Sequence, residues 1–121
     1  MKAIVIGAGK VGFHIADRLA EENHDVVLID AREESLVPAQ ENLDVMTLTG
    51  NGASPKTLEE AGVAGADMVI AVTTHDEANI IACLTAKYYG VPTTVARVRN
   101  PDYTLPSKAL VHGMLGIDHI I

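Results

Sequence analysis

The chain has 121 residues, 48% of them hydrophobic, with one Phe, three Tyr, no Trp, one Cys and a formal net charge of −7. That length suits one domain with an aliphatic core, the lone cysteine excludes an internal disulfide, and the acidity argues against a nucleic-acid surface, which demands clustered Lys and Arg. No run reaches the roughly 20 apolar residues of a membrane helix, and Met1 leads straight into a strand, so the expectation is a cytosolic protein with no direct membrane insertion.

In chain order, Lys2-Ala3-Ile4-Val5-Ile6 reads as a strand that runs into Gly7-Ala8-Gly9-Lys10-Val11-Gly12. A helix follows, with Val11, Ile15 and Leu19 at helical spacing and Gly12, Ala16 and Ala20 as small packing neighbours. Val26 to Ile29 is a buried strand ending at Asp30, Glu33 to Glu41 a helix, and Val45 to Thr49 a third strand closed by Gly50-Asn51-Gly52. Ser54 caps and Pro55 starts a short helix to about Ala61. Met68 to Val72 is the most apolar strand and therefore central. Thr74 and Glu77 have capping-box spacing at the head of a helix to about Tyr89, which Gly90 stops. Thr94 to Val98 is a fifth strand, Asn100-Pro101-Asp102 a turn, Leu105 to Leu115 a helix and Asp118 to Ile121 a sixth strand. Such alternation predicts one α/β domain over residues 1–121, a Rossmann-like doubly wound parallel sheet in order 3-2-1-4-5-6 with helices on both faces.

The glycine run follows a strand and opens a helix, which is the setting in which G-x-G-x-x-G binds a dinucleotide. Gly7 permits the tight turn, Gly9 lets the backbone approach a pyrophosphate, and Gly12 allows close helix packing. Ala8, Lys10 and Val11 complete the loop, and the helix N-terminus offers unpaired N–H groups and a positive dipole end to phosphate. Lys10 either reaches the phosphates as a mobile charge or stays solvated. Asp30 is placed to accept hydrogen bonds from ribose hydroxyls, which favours NAD or an adenine nucleotide over NADP, because a carboxylate repels a 2′-phosphate. Ala31 and Arg32 come next, and Arg32 lies over the adenine or touches a 2′-phosphate.

The loops after the third and fourth strands, Gly50-Asn51-Gly52 and Thr73-Thr74-His75-Asp76, converge on the same crevice. Asn51 either offers its amide to adenine or ribose or serves its turn, and Thr73 and Thr74 either contact the second nucleoside and phosphates or act as cap residues. Arg97 and Arg99 leave the fifth strand on the same side. Arg97 is aimed at the crevice and Arg99 at a neighbouring subunit or the turn at Asp102, with an ion pair to Asp102 or Glu77 as the alternative. Hydride-transfer enzymes add an acid, a base or a substrate group from a second domain or long loops, and no such segment is legible. His75 and Asp76 are the nearest acid–base pair, and capping explains them. Cys83, among Ile80, Ile81, Ala82 and Leu84, reads as a small buried hydrophobe. His14, His24, His75, His112 and His119 lack metal-ligand spacing.

Taken together, GAGKVG, LID ending at Asp30, GNGASP at 50–55, ADMVIAVTTHDEANIIAC at 66–83 and ARVRNPDY at 96–103 closely resemble the N-terminal domain of the TrkA-type potassium-uptake regulators. These are also called RCK or KTN domains, and the resemblance covers essentially the whole chain. It implies a cytosolic regulatory subunit that binds NAD or NADH, or ATP and ADP, and gates a membrane potassium transporter or channel from the inner face of the membrane. It assigns Gly7, Gly9 and Gly12 to pyrophosphate, Asp30 to ribose, and Asn51, Thr73 and Thr74 to the nucleoside regions. It implies a sensor and not an enzyme, assembled as a homo-oligomer, either a dimer or a larger ring, with helix faces around Ile80, Leu84, Leu110 and Leu115 as candidate contacts. Family members usually carry a further C-terminal ligand-binding domain, for which 121 residues leave no room. The alternatives are a nucleotide-binding fragment of an NAD-dependent dehydrogenase and an S-adenosylmethionine binder, the latter disfavoured by the pyrophosphate-type glycine spacing.

Overall fold

Strands covered on both faces lose polar alternation, and the runs KAIVI and DVVLID place aliphatic side chains on both sides of the sheet. The computed structural model of the protein describes residues 1–104 and 116–121. Six parallel strands, β1 (Lys2–Ile6), β2 (Asp25–Asp30), β3 (Met46–Thr49), β4 (Met68–Ala71), β5 (Thr93–Ala96) and β6 (His119–Ile120), lie in the order β3-β2-β1-β4-β5-β6. The chain winds outward in both directions from β1 and β4, which pair in register Ala3 with Met68 through Ile6 with Ala71. The expected strand order is therefore the observed one.

Helices α1 (Lys10–Glu21) and α2 (Glu33–Asn42) cover one face, packing Ala16, Leu36 and Ala39 on Val5, Val26, Leu28, Ile70 and Val72. Helices α3 (Pro55–Glu60) and α4 (Asp76–Tyr88), with a 3-10 turn at Val63–Gly65, cover the other, packing Leu58, Ile80, Cys83 and Ala86 on Ile4, Ile6, Ile29, Val69 and Ala71. Successive strand residues thus serve opposite layers.

The differences from expectation are local. Strands β3, β4 and β5 are each shorter than their apolar runs, since Val45, Val72 and Val98 lie outside the ladders while their side chains still pack. The Thr74–Glu77 capping box does not form. His75 is the N-cap of α4 and makes no side-chain cap bond. Thr74 Oγ1 lies 3.3 Å from His75 Nδ1, and Glu77 Oε2 accepts from the Tyr103 hydroxyl at 2.6 Å. Ser54 holds the expected N-cap position of α3 with Pro55 following, but its side chain makes no cap bond. The expected turn at Asn100-Pro101-Asp102 tightens into one helical turn, α5 (Pro101–Thr104). Val11 is 37% exposed and lines the mouth of the crevice, whereas Gly12 and Ala16 are buried and Ile15 and Leu19, partly buried, pack on the same layer as expected. The expected helix from Leu105 to Leu115 lies outside the described residues.

Candidate functional site

The parallel topology carries the carboxyl ends of β1 to β5 to one edge, where the change of winding direction between β1 and β4 leaves an open crevice of about 550 Å³. On its floor the backbone turns sharply out of β1 at Gly7, whose φ of +107° belongs to glycine. A Cβ on Gly12 would lie 1.6 Å from the Gly7 carbonyl oxygen, so only hydrogen at that position allows α1 to close on the turn. Gly9 differs from both. A Cβ there would meet nothing within 4 Å, and the residue lines the crevice.

Gly9 is also the N-cap of α1, which begins with no side-chain cap and no acid in its first turn. Its leading N–H groups and positive dipole end are therefore left to solvent or a ligand. Lys10 lines the same mouth and makes no ion pair among the described residues.

Asp30, at the end of β2, is fixed by two backbone donors. Its Oδ2 accepts from the Ala8 N–H at 2.8 Å and its Oδ1 from the Arg32 N–H at 2.9 Å. Each oxygen keeps a lone pair for a further donor. This is how Ala8, which does not line the crevice, contributes: it ties the glycine loop to the carboxylate. Arg32 pairs through Nε with Glu34 Oε1 at 3.0 Å, and both side chains are largely exposed, so the contact is weak and readily exchanged. Beyond it, Asn51 Oδ1 accepts from the Ala53 N–H at 2.9 Å, which leaves the carboxamide NH₂ as the group Asn51 has to offer.

On the β4–β5 side the polar groups are more tightly committed. Asn79 is fully buried and makes four bonds. Its Oδ1 accepts from the Thr73 N–H at 2.9 Å and the Thr73 hydroxyl at 2.7 Å, while its Nδ2 donates to the Thr73 carbonyl at 3.1 Å and the Arg97 carbonyl at 2.8 Å. Arg97 in turn donates from its guanidinium to the Thr73 carbonyl at 2.9 Å. Neither expected ion pair, to Asp102 or to Glu77, is made. Asp76 instead holds the chain leaving β5, its Oδ2 accepting from the Arg99 and Asn100 N–H groups at 3.0 and 2.7 Å.

Of the residues singled out from sequence, Gly7, Gly9, Lys10, Val11, Asp30, Ala31, Arg32, Gly50, Asn51, Gly52, Thr73, Thr74 and Arg97 line this one crevice. Ala8 and Gly12 stand behind it. Asn79 was missed, because an Asn inside a helix carries no sequence signal of burial. Among the described residues no cluster of His, Cys, Asp or Glu is arranged to hold a metal, and no helix is long and apolar enough to cross a membrane. Burial pushes the Cys83 thiol up to about 12, and the Asp118 carboxylate adds to the shift, so the thiol is protonated at neutral pH. Of the apolar residues expected at a subunit contact, Ile80 is buried in the core, Leu84 is exposed, and Leu110 and Leu115 lie outside the described residues.

The model of the TrkA-N domain matches residues 3–121. The chain is 45% identical over 121 residues to the Trk system potassium uptake protein TrkA of Azorhizobium caulinodans, covering 99% of this chain and 26% of that protein. It is 40% identical over 121 residues to a Trk system potassium uptake protein TrkA homolog of Methanothermobacter thermautotrophicus, covering 100% of this chain and 54% of the homolog. It therefore spans from about a quarter to about half the length of these curated relatives. Among solved structures, the TrkA-N domain of the inner membrane protein ybaL from Escherichia coli superposes with a TM-score of 0.83 at 18% identity, over 99% of this chain and 85% of that one. The GsuK channel bound to NAD superposes at 0.80 and 19% identity, over 99% of this chain and 21% of that one. At such identities these likenesses are ones of fold.

Proposed function

The chain belongs to the TrkA-N domain family, and from that premise we propose that it is the nucleotide-binding regulatory domain of a potassium-uptake system. An adenine nucleotide, NAD or NADH in the first place and ATP or ADP in the second, occupies the crevice and biases a membrane potassium transporter or channel. The observation that carries this reading is Gly9. A helix N-terminus without a side-chain cap opens onto a position where even a methyl group would meet no protein atom, and a fixed carboxylate stands beside it. That combination suits a diphosphate over the first turn of α1 and a ribose on Asp30.

The nucleotide supplies a charged, reversible signal and no reaction. The protein supplies the amides of Gly9 and the first turn, the Asp30 carboxylate, the Asn51 carboxamide, and Thr74 and Arg97 on the far side. The relatives named for Trk potassium uptake and the GsuK channel solved bound to NAD support this assignment. Gating follows from a difference in affinity between two arrangements of the domain and its neighbours, in a homo-oligomer docked to the transporter on the cytoplasmic side of the membrane. The exposed Ile81, Leu84 and Tyr88 along α4 support self-association.

Calorimetric titration of the purified protein with NAD, NADH, ATP, ADP and S-adenosylmethionine tests the reading. Saturable binding of adenine nucleotides with no turnover of NADH is expected. Binding of S-adenosylmethionine alone, or of no nucleotide at all, overturns it.

A further inference from the structure

A buried carboxamide whose four polar valences are all spent on two loops fixes those loops relative to each other. Asn79 alone supplies two donors and an acceptor with two lone pairs, and it meets two carbonyls and two donors. Aspartate at that position has nothing to donate, and leucine, of similar size, leaves all four partners orphaned. The consequence for Thr73 is specific. Its N–H and hydroxyl proton go to Asn79, both lone pairs of its carbonyl are taken by Asn79 and Arg97, and its hydroxyl oxygen accepts from the His75 N–H at 3.2 Å. Thr73 has no proton left to donate and keeps for a ligand its methyl group and one hydroxyl lone pair, so the side-chain donors left on the β4–β5 side include those of Thr74 and the remaining guanidinium N–H groups of Arg97.

We infer that Asn79 is a positioning residue that sets nucleotide selectivity by holding Thr74 and Arg97 together for the half of a dinucleotide lying beyond the pyrophosphate. The inference rests on the nucleotide-binding role proposed above. The topology separates the two halves: Asp30, Arg32 and Asn51 follow β2 and β3 on one side of the glycine loop, and Thr74 and Arg97 follow β4 and β5 on the other. AMP reaches only the first set. NAD reaches both, and only NAD then depends on Asn79. The neighbouring Asp76 bonds to Arg99 and Asn100 make the exit of β5 part of the same unit.

The test compares NAD and AMP affinities by calorimetry for wild type, Asn79→Asp and Asn79→Ser, each at a temperature where its melting curve shows it folded. Aspartate keeps the acceptor and sets a carboxyl against two carbonyls, while serine leaves room for a bridging water. NAD affinity should fall about tenfold, the equivalent of losing one hydrogen bond to a charged group, with AMP affinity within about twofold of wild type. A purely structural role lowers both ligands together, and that outcome overturns the inference. Wild-type amide exchange gives a second readout should both variants unfold. NAD should slow exchange at Thr73, Arg99 and Asn100 more than AMP does, and equal protection by the two ligands counts against the inference. AMP binding without NAD binding in the wild type also refutes it, whereas wild type that binds neither ligand removes the underlying nucleotide-binding proposal.

Discussion

Adding one methyl group at Gly9 and one at Gly12 should give opposite results, although both residues belong to the same motif. At Gly9 the backbone is extended, with φ −72° and ψ −167°, which alanine adopts without strain, and the new Cβ meets no atom within 4 Å. Alanine is a poorer N-cap than glycine by about 0.5–1 kcal/mol, but it removes about 0.4–1 kcal/mol of unfolded-state entropy, so Gly9→Ala should leave stability within about 1 kcal/mol of wild type. On the proposed reading the methyl group does, however, stand between the helix N–H groups and the phosphates. Losing one charge-assisted hydrogen bond costs about 1.5–3 kcal/mol, or about 10- to 150-fold in affinity. At Gly12 the Cβ would sit 1.6 Å from a backbone carbonyl oxygen, which no rotamer change relieves. Helix α1 must then move off the turn at a cost of at least about 3 kcal/mol, a large part of the roughly 5–15 kcal/mol that holds a domain folded. Melting curves and nucleotide titrations on the two variants check this. Wild-type nucleotide affinity in Gly9→Ala, or a wild-type melting temperature in Gly12→Ala, would refute the division of labour between a ligand-facing and a packing glycine.

The remaining predictions concern single side chains. Asp30→Ala should lose about 10-fold or more in adenine-nucleotide affinity by titration and about 1–2 kcal/mol in stability, because the Ala8 N–H loses its partner along with the ligand's ribose. Cys83 should stay unmodified by an aromatic disulfide reagent at pH 8 in the native protein and react on unfolding, since its buried thiol is held up to about 12. Rapid labelling of folded protein would contradict that. For Asp118, the hydrogen bond from Lys87 holds the carboxyl below its ordinary 3.8, opposed by partial burial and helped by the Thr94 N–H. A depressed folded value favours the ionised form in the native state, so the stabilisation is complete above about pH 4–5 and disappears as the pH falls through the folded pKa. Chemical denaturation should therefore show Asp118→Asn less stable than wild type by about 1 kcal/mol or less at pH 7, a small figure because the pair is partly solvated, with the gap closing towards pH 2. A gap independent of pH would show that charge is not what Asp118 contributes.

The parts of this fold that rest on periodicity were legible in the sequence. The aliphatic runs of β1, β2 and β4 read as strands covered on both faces, and their alternation with helices behind a glycine fingerprint pointed to the doubly wound order that the sheet has. Convergence of Gly9, Asp30, Asn51 and Arg97 on one crevice followed from that order, since all four stand at strand ends. What was not legible depends on which partner wins a competition. Thr74 and Glu77 have capping-box spacing, yet Glu77 bonds with Tyr103, a residue 26 positions away that no local pattern announces. Asp30 reads as a free carboxylate, and only the folded loop shows it already held by two amides. Arg97 reads either as a cation aimed at the crevice or as half of an ion pair; it lines the crevice and donates to the Thr73 carbonyl, which Asn79 also holds, and no local pattern announces that partner.

These hydrogen bonds bear on how binding becomes a signal. Affinity alone moves no equilibrium; a ligand shifts a two-state system only by the ratio of its affinities for the two states, with 1.4 kcal/mol for each factor of ten. Contacts to Gly9 and Asp30 are common to NAD, NADH, ATP and ADP on the proposed reading, so they serve retention and do not separate these four from one another. Discrimination has to come from groups that some nucleotides reach and others do not. In this fold those groups stand at the ends of β4 and β5, and they are tied through Asn79 and Asp76 to the first turn of α4. On the proposed reading, a dinucleotide that tightens this unit acts on α4, whose outer face carries the exposed Ile81, Leu84 and Tyr88. On the same reading, a mononucleotide confined to the β2–β3 side has no contact through which to act on that helix. Coupling of about 1–3 kcal/mol across such a contact is ordinary for allosteric proteins, and one or two charge-assisted hydrogen bonds made by one ligand and not the other are enough to supply it.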